Sequence, residues 1–363
     1  MIKKAVIAAL VASSATLCAT SQTTQRFSAT KANEHTLVYT LPSTALSITL
    51  EGEITVKKPG EFYKYARKYL NVGNPITKET RTATLKSAVV TTFGVPDEEQ
   101  RYAVQFKSGT SPFIYLTDEG LPLAFNTDRI PAQESPELPK AVPAPPTPLE
   151  TPAARQVISE EMLQSQSVAK RAELAARAIF DIRQTRSDLI SGQADNMPPD
   201  GKSLQLMLDN LQAQEEALEA MFLGTTQVST VVTTVTVHPH EDIRNKVIAR
   251  LSPIDGFVNS DNLSGAPIYL SLEVTNRGEM PVNDKGETLP FPKNGFPYCI
   301  PGAARIAISF DGRTILTAEE EMAQFGITYG LSPNSLTDKK APRFVIFNPA
   351  TGSFRQSGPL TEE

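Results

Sequence analysis

The chain has 363 residues, with 35 Lys and Arg against 40 Asp and Glu, so its formal net charge at pH 7 is −5. Nucleic-acid-binding proteins are typically basic. This mildly acidic balance therefore argues against that class, and we expect no nucleic-acid partner. The length predicts about two domains, and a chain of this size can bury a sufficient core without disulfide bonds.

The first residues have the pattern of an export signal. Lys3 and Lys4 precede an apolar run, 5–17, that is too short to span a membrane. Small residues just before Gln22 predict cleavage at that point, so that the signal peptide would be 1–21. The chain has no later run of 18 or more apolar residues, and we therefore expect no transmembrane segment.

Cleavage of 21 residues would leave 342, with 33 basic and 40 acidic side chains and a net charge of −7. Only Cys299 would remain, which excludes an internal disulfide bond. A second interpretation makes Cys18 the lipidated residue of a lipoprotein. Leu17 before it is larger than that signal usually allows, which favours the soluble secreted form.

The chain after the leader begins with a polar stretch, 22–35, that predicts a flexible lead-in. Alternating apolar residues over 46–56 then predict a long, half-buried strand. Pro59 and Gly60 end this strand, and aromatic residues at three- and four-residue spacing predict a short helix up to Leu70.

Further strands complete the first predicted unit. The alternation over 80–95 predicts a strand, 96–99 a turn, and 102–106 a returning strand, while 113–125 has the pattern of a β-hairpin. Together these elements predict an N-terminal β-rich domain over 36–130.

Residues 131–152 contain eight prolines. This density disfavours both helix and central strand, and it predicts an extended, semi-rigid linker. Proline-rich segments can also bind aromatic-lined grooves, but a linker is the favoured interpretation.

The block 153–224 changes to a helical period. Apolar residues recur at alternating steps of four and three over 168–189 and again over 204–221. The segment 192–201, which begins and ends with glycine, interrupts the helical pattern and separates these two apolar seams. Gly224 follows the second seam. The pattern predicts a long antiparallel helical hairpin.

The alternating period returns at residue 225 and continues, with Gly, Asp, Asn and Pro turns, to residue 358. This range predicts a C-terminal β-rich domain that ends in a polar tail, 359–363. The predicted fold class is therefore α+β, with two β-rich, sandwich-like domains and the helical hairpin between them.

Six segments carry a resemblance to a known family. In chain order they are 39–42, 59–70, 211–224, 251–270, 298–308 and 323–326. In their order and spacing the chain resembles a family of secreted proteins of Bacteroidota that is known as a domain of unknown function. The resemblance implies an extracytoplasmic location, in the periplasm or at the outer-membrane surface of a Gram-negative envelope. It implies no activity and no cofactor.

His238 and His240 form the sharpest cluster of potential ligands. Residues two apart on a strand point to one face, and Asp242 could complete a site for zinc or another divalent metal. However, the proline between the histidines indicates the end of a strand, and the only other histidine is His35. A solvated turn is the competing interpretation.

Other reaction chemistry is missing from the sequence. No nucleophile-elbow, P-loop or dinucleotide-binding glycine motif occurs. Between two apolar neighbours, Cys299 is expected to be a small buried residue rather than a nucleophile. Adjacent glutamates such as Glu215 and Glu216 are expected on solvated helix faces. We therefore expect no catalytic or cofactor-binding residues.

The expected function is that of a non-catalytic binding or assembly protein of the envelope, with a protein partner that the sequence does not identify. Two alternatives stay open. One is an extracytoplasmic hydrolase, metal-assisted through His238 and His240, and the other is a structural or adhesive component of the cell surface.

Overall fold

The computed structural model describes residues 22–26, 36–106, 113–132, 135–194, 201–332, 336 and 343–360. The predicted signal peptide, 1–21, lies outside these residues. The described part of the chain is rich in β structure, as the sequence predicts, and contains few helices. None of its helices is both long enough and apolar enough to cross a membrane.

The strands are β1 (Gln22–Arg26), β2 (Thr36–Lys58), β3 (Thr80–Phe106), β4 (Ile114–Leu116), β5 (Pro122–Phe125), β6 (Thr225–Val237), β7 (Ile243–Ser252), β8 (Gly256–Val258), β9 (Ala266–Asn276), β10 (Phe296–Phe310), β11 (Arg313–Leu331), β12 (Arg343–Phe347) and β13 (Phe354–Pro359). The α-helices are α1 (Ala66–Leu70), α2 (Pro152–Gln156), α3 (Glu160–Gln164), α4 (Val168–Ser191) and α5 (Gly201–Leu223), and short 3-10 helices cover Tyr63–Tyr65 and Pro148–Glu150.

These strands form three antiparallel sheets. The strand order is β1-β3-β2-β6 in the first sheet, β11-β10-β9-β7-β8 in the second and β13-β12-β5-β4 in the third. The strand β1 was not expected from the polar composition of 22–35, which predicted a flexible lead-in. It pairs with the end of β3.

The first two sheets share the largest hydrophobic core of the protein. Leu46, Ile48 and Leu50 alternate along β2, as the sequence predicts, and all three are fully buried. They belong to one cluster with Ile306 and Ile308 of β10. Because full burial of such a side chain stabilises the fold by about 1.5–3 kcal/mol, this cluster fixes which face of each strand points inward.

The structure contradicts the turn predicted at 96–99. The strand β3 continues through this stretch, with Pro96 opposite Pro42 and Arg101 opposite Thr40. Neither proline can donate a backbone hydrogen bond, so the ladder is interrupted where they meet. The extra residues of β3 form a bulge at this point instead of reversing the chain.

Two strand pairings join distant parts of the chain. The strand β2 pairs with β6 over 13 residues, and β5 pairs with β12. Both pairings connect 36–130 with 225–358, so the structure does not confirm the predicted division into two separate β-rich domains. Val142, in the proline-rich segment, also extends the first sheet by exchanging two backbone hydrogen bonds with Thr230, at 2.8 and 2.9 Å.

A second core lies between the helices and the strand-to-helix turn that follows β2. Ala172, Ala175 and Ile179 of α4 are fully buried, and so are Leu218 of α5 and Phe62. The small alanines let the two helices approach closely, and the seam spacing in the sequence predicts these positions. The loop that would complete the predicted hairpin, 195–200, lies outside the described residues.

Candidate interaction site

The predicted metal ligands lie in an exposed turn between β6 and β7. His238 and His240 are both exposed, and the carboxylate of Asp242 accepts a hydrogen bond from the backbone N–H of Val274 at 2.9 Å. Within the residues that the structure describes, no group of three or more His, Cys, Asp or Glu side chains could hold a metal ion. The metal site therefore gains no support from the geometry and remains a prediction.

The proline between the two histidines has a structural role. Pro239 is buried, and its carbonyl oxygen accepts a hydrogen bond from Nε2 of Gln324 at 2.7 Å. Gln324 lies on β11, so this bond holds the turn against the second sheet. The turn is thus fixed by its backbone, while its histidine side chains extend toward solvent.

Cys299 does not have the surroundings of a nucleophile. Its side chain is buried on β10, and Sγ lies 3.5 Å from the carbonyl oxygen of Ala323. Burial, with a smaller contribution from the charge of Glu321, raises the pKa of the thiol to about 12. Because the thiolate is the reactive form, a thiol with this pKa is inert at neutral pH. The prediction of a small buried residue is confirmed.

The clearest candidate for a binding surface is on α4 and α5. Four large apolar side chains of these helices are exposed, and they define what we call the outer helical surface: Phe180 (52 % exposed), which lies midway along α4, and Ile190 (69 %), Leu206 (71 %) and Met207 (42 %), which lie toward the outer end of the two helices. Exposed apolar groups that occur together on regular elements are typical of protein interaction sites.

An ion-pair network joins the two helices at the base of this surface. Glu215 of α5 is buried and accepts hydrogen bonds from Nε of Arg183 at 2.6 Å and from Nη1 of Arg186 at 2.5 Å. Arg183 also donates to Glu219. The bond to Glu215 is the main reason why the pKa of Arg183 is raised. The network holds α5 against α4.

The burial of Glu215 corrects the sequence interpretation, which placed it with Glu216 on a solvated face. Only Glu216 is exposed. The signal that could have revealed this lies on the other helix. Arg183 and Arg186 are three residues apart on α4, so they share one face and can reach the same carboxylate.

An open cavity of about 340 Å³ lies beside the network, against α4. It is lined by Arg183, Arg186, Ser187, Ile190 and Ser191. Ile190 of the outer helical surface therefore borders a recess with guanidinium and hydroxyl groups. The combination of an apolar surface and a polar recess is typical of the core and rim of a protein interface.

Comparison with known proteins gives a family but no activity. A family model described as a domain of unknown function, DUF4831, matches residues 35–355. The chain belongs to this family. No curated protein and no solved structure matches it. The outer helical surface and the turn at 238–242 both lie inside the DUF4831 domain, so neither belongs to an added segment.

Proposed function

We propose that this DUF4831 protein is a non-catalytic binding or assembly protein of a Gram-negative envelope, and that it contacts a protein partner through the outer helical surface. The observation that carries the proposal is the exposure of Phe180, Ile190, Leu206 and Met207 on two helices that are held together by ion pairs to the buried Glu215. A rigid apolar surface of this kind binds with little loss of conformational entropy.

The outer part of α5 is tied to α4 by the ion pairs of Glu215 but lies outside the second core. In the described part of the chain, 201–216 adds no apolar residue to the second core, which uses α5 only from Ala217 onward. These 16 residues correspond to about 24 Å of helix. The exposed parts of Leu206 and Met207 forfeit a share of the transfer free energy of about 1.5–3 kcal/mol that full burial of each side chain would contribute. A partner that covers them would recover it.

An amphipathic helix of the partner would suit a surface built on two packed helices. Such a helix would place apolar side chains at three- and four-residue spacing against Ile190 and Leu206, and polar groups against the recess beside Arg186. A second copy of this chain is the alternative occupant, and the oligomeric state of the purified protein distinguishes the two.

The test is co-purification from the native cell after chemical crosslinking. We expect one partner protein to be recovered with the wild-type chain and lost with Leu206→Glu. The matched control is Leu263→Glu, because Leu263 is 81 % exposed in the loop before β9 and lies outside the helices. Recovery of the wild-type chain only as a free monomer would contradict the proposal. So would equal loss of the partner in both variants.

The extracytoplasmic location is part of the same proposal and has its own test. N-terminal sequencing of the protein isolated from cells should begin at Gln22. A lipid-modified N-terminus at Cys18 would indicate the lipoprotein form instead. A chain that retains Lys3 and Lys4 would contradict export by this signal.

A further inference from the structure

Charge is distributed unevenly along this acidic chain. Between Lys57 and Arg81 there are seven basic residues and two acidic ones, a net charge of +5. Since the whole chain carries −5, the remaining residues carry −10. The basic residues of this stretch are Lys57, Lys58, Lys64, Arg67, Lys68, Lys78 and Arg81.

The short helical segment after β2 turns three of these cations outward. Phe62 and Ala66 point into the second core and are buried. Lys64, Arg67 and Lys68 follow at helical spacing on the opposite face, and all three are exposed. The burial of the apolar side of this turn therefore fixes the direction of its basic side.

The other cations lie at the same end of the first sheet. Lys57 and Lys58 are the last residues of β2 and are exposed. Lys57 pairs with Thr80, the first residue of β3, and Lys78 precedes Thr80 by two residues. Six cations, Lys57, Lys58, Lys64, Arg67, Lys68 and Lys78, therefore share one end of the molecule, which we call the basic end.

The nearby carboxylates do not neutralise the basic end. Glu61 is paired with Arg171, and Glu79 with Arg81. Glu150 accepts a hydrogen bond from the backbone N–H of Thr147, and the charge of Lys58 makes only a minor contribution to its lowered pKa. Among the residues that the structure describes, none forms a salt bridge with the six cations.

Two tyrosines border the basic end. The ammonium group of Lys68 lies 4.8 Å from the ring centroid of Tyr69, and that of Lys64 lies 5.8 Å from the ring centroid of Tyr63. Tyrosine has an apolar ring and a polar hydroxyl, so it suits the boundary between an apolar phase and water. Lysine can lay its methylene chain along such a ring while its charge stays in the aqueous layer.

We propose that the basic end binds the phosphate groups of an anionic membrane surface. No salt bridge between described residues fixes these lysine ammonium groups, which suits a surface with many mobile phosphates better than one small anion in a fixed geometry. This contact is independent of the outer helical surface and of the partner proposed for it. It would orient the protein with its basic end toward the lipid.

The test is sedimentation of the full-length chain with vesicles, either of phosphatidylcholine alone or of phosphatidylcholine mixed with phosphatidylglycerol. The apolar run 5–17 and the charges of Lys3 and Lys4 act equally in every variant, so the readout is the difference between variants. We expect tighter binding to the mixed vesicles, and this preference should weaken as salt is added.

The decisive variant is Lys64→Gln/Arg67→Gln/Lys68→Gln. Glutamine keeps the helix propensity of these residues, so the fold should be retained. Each cation near an anionic surface contributes about a fivefold gain in partitioning, so the triple variant should bind mixed vesicles on the order of a hundredfold more weakly. The control is Arg244→Gln/Lys246→Gln/Lys293→Gln, which removes three exposed charges elsewhere and should change binding little.

Three results would overturn the proposal. The first is equal binding of the wild-type chain to both kinds of vesicle. The second is an equal loss in the two triple variants, which would assign the effect to net charge. The third is a shift of the melting temperature by inorganic phosphate, or capture by an acidic protein, without any preference for the mixed vesicles.

Discussion

The side-chain amide of Gln324 hydrogen-bonds both backbone groups of Thr44, as a neighbouring strand would. Its Oε1 accepts from the N–H of Thr44, and its Nε2 donates to the carbonyl oxygen of Thr44, both at 2.9 Å. The hydroxyl of Thr44 in turn donates to the carbonyl oxygen of Ala350 and accepts from the N–H of Ala323. One residue of β2 is thereby linked to β11 and to the loop before β13.

Replacing Gln324 by Glu should destabilise the protein by about 3 kcal/mol at pH 7. The carboxylate would face the carbonyl oxygens of Thr44 and Pro239 without a proton to donate to either. Urea denaturation measures the free energy of unfolding. Gln356→Glu, on the exposed strand β13, is the matched control and should change it by less than about 0.5 kcal/mol. Equal effects of the two substitutions would contradict the structural role of Gln324.

Gly60→Ala should cost at least about 2 kcal/mol of folding free energy. A Cβ at this position would lie 2.3 Å from the backbone carbonyl oxygen of Met221, and neither backbone can move without disturbing the second core. Gly73→Ala is the control, since a Cβ there has nothing within 4 Å. Thermal unfolding compares the stability of the two variants. A Gly60→Ala variant as stable as Gly73→Ala would show that α5 does not pack against the turn after β2.

Glu215→Gln should destabilise the protein by about 1–2 kcal/mol. The amide keeps the size of the side chain but removes the charge that accepts from Arg183 and Arg186. The cost stays below that of a fully buried pair because both arginines are partly exposed and can be rehydrated. Glu216→Gln, on the solvated face, should have an effect below about 0.5 kcal/mol. Denaturant unfolding, monitored by the circular dichroism signal of the helices, compares the two variants.

The pKa of Cys299 predicts a specific pH dependence of stability. Its value in the folded protein, about 12, is above the ordinary 9.0, so the folded state keeps a proton that the unfolded state releases. The resulting stability is fully present below pH 9 and is lost as the pH rises toward 12. The difference in unfolding free energy between wild type and Cys299→Ala should therefore decrease across this range. A constant difference would contradict the burial of the thiol.

The sequence predicted those parts of the fold in which the signal is local. The alternation along β2, the turn at Pro59 and the seam through Ala172 and Ala175 all follow from the periodic placement of apolar residues. The two opposed prolines, Pro42 and Pro96, show where this reasoning fails. Pro96 and the acidic residues after it predict a turn, and only the partner strand shows that this stretch forms a bulge.

The pairings that join the sheets could not be predicted in this way. Gln324 and Thr44 are separated by 280 positions, and nothing near either residue specifies the other. The burial of Glu215 likewise depends on the position of α4 relative to α5. The outer helical surface was missed for the same reason. Of its four residues only Met207 lies on a predicted seam, the one over 204–221, and only the packed structure shows that Met207 is left partly uncovered.

Photocrosslinking from the outer helical surface tests the proposed function most directly. A photoreactive phenylalanine analogue placed at position 206, in cells that express the protein at its native level, should form one discrete crosslinked product. The same analogue at position 263 should form none. Crosslinking from position 263 but not from position 206, or from neither, would contradict the assignment of the outer end of α4 and α5 as the binding surface.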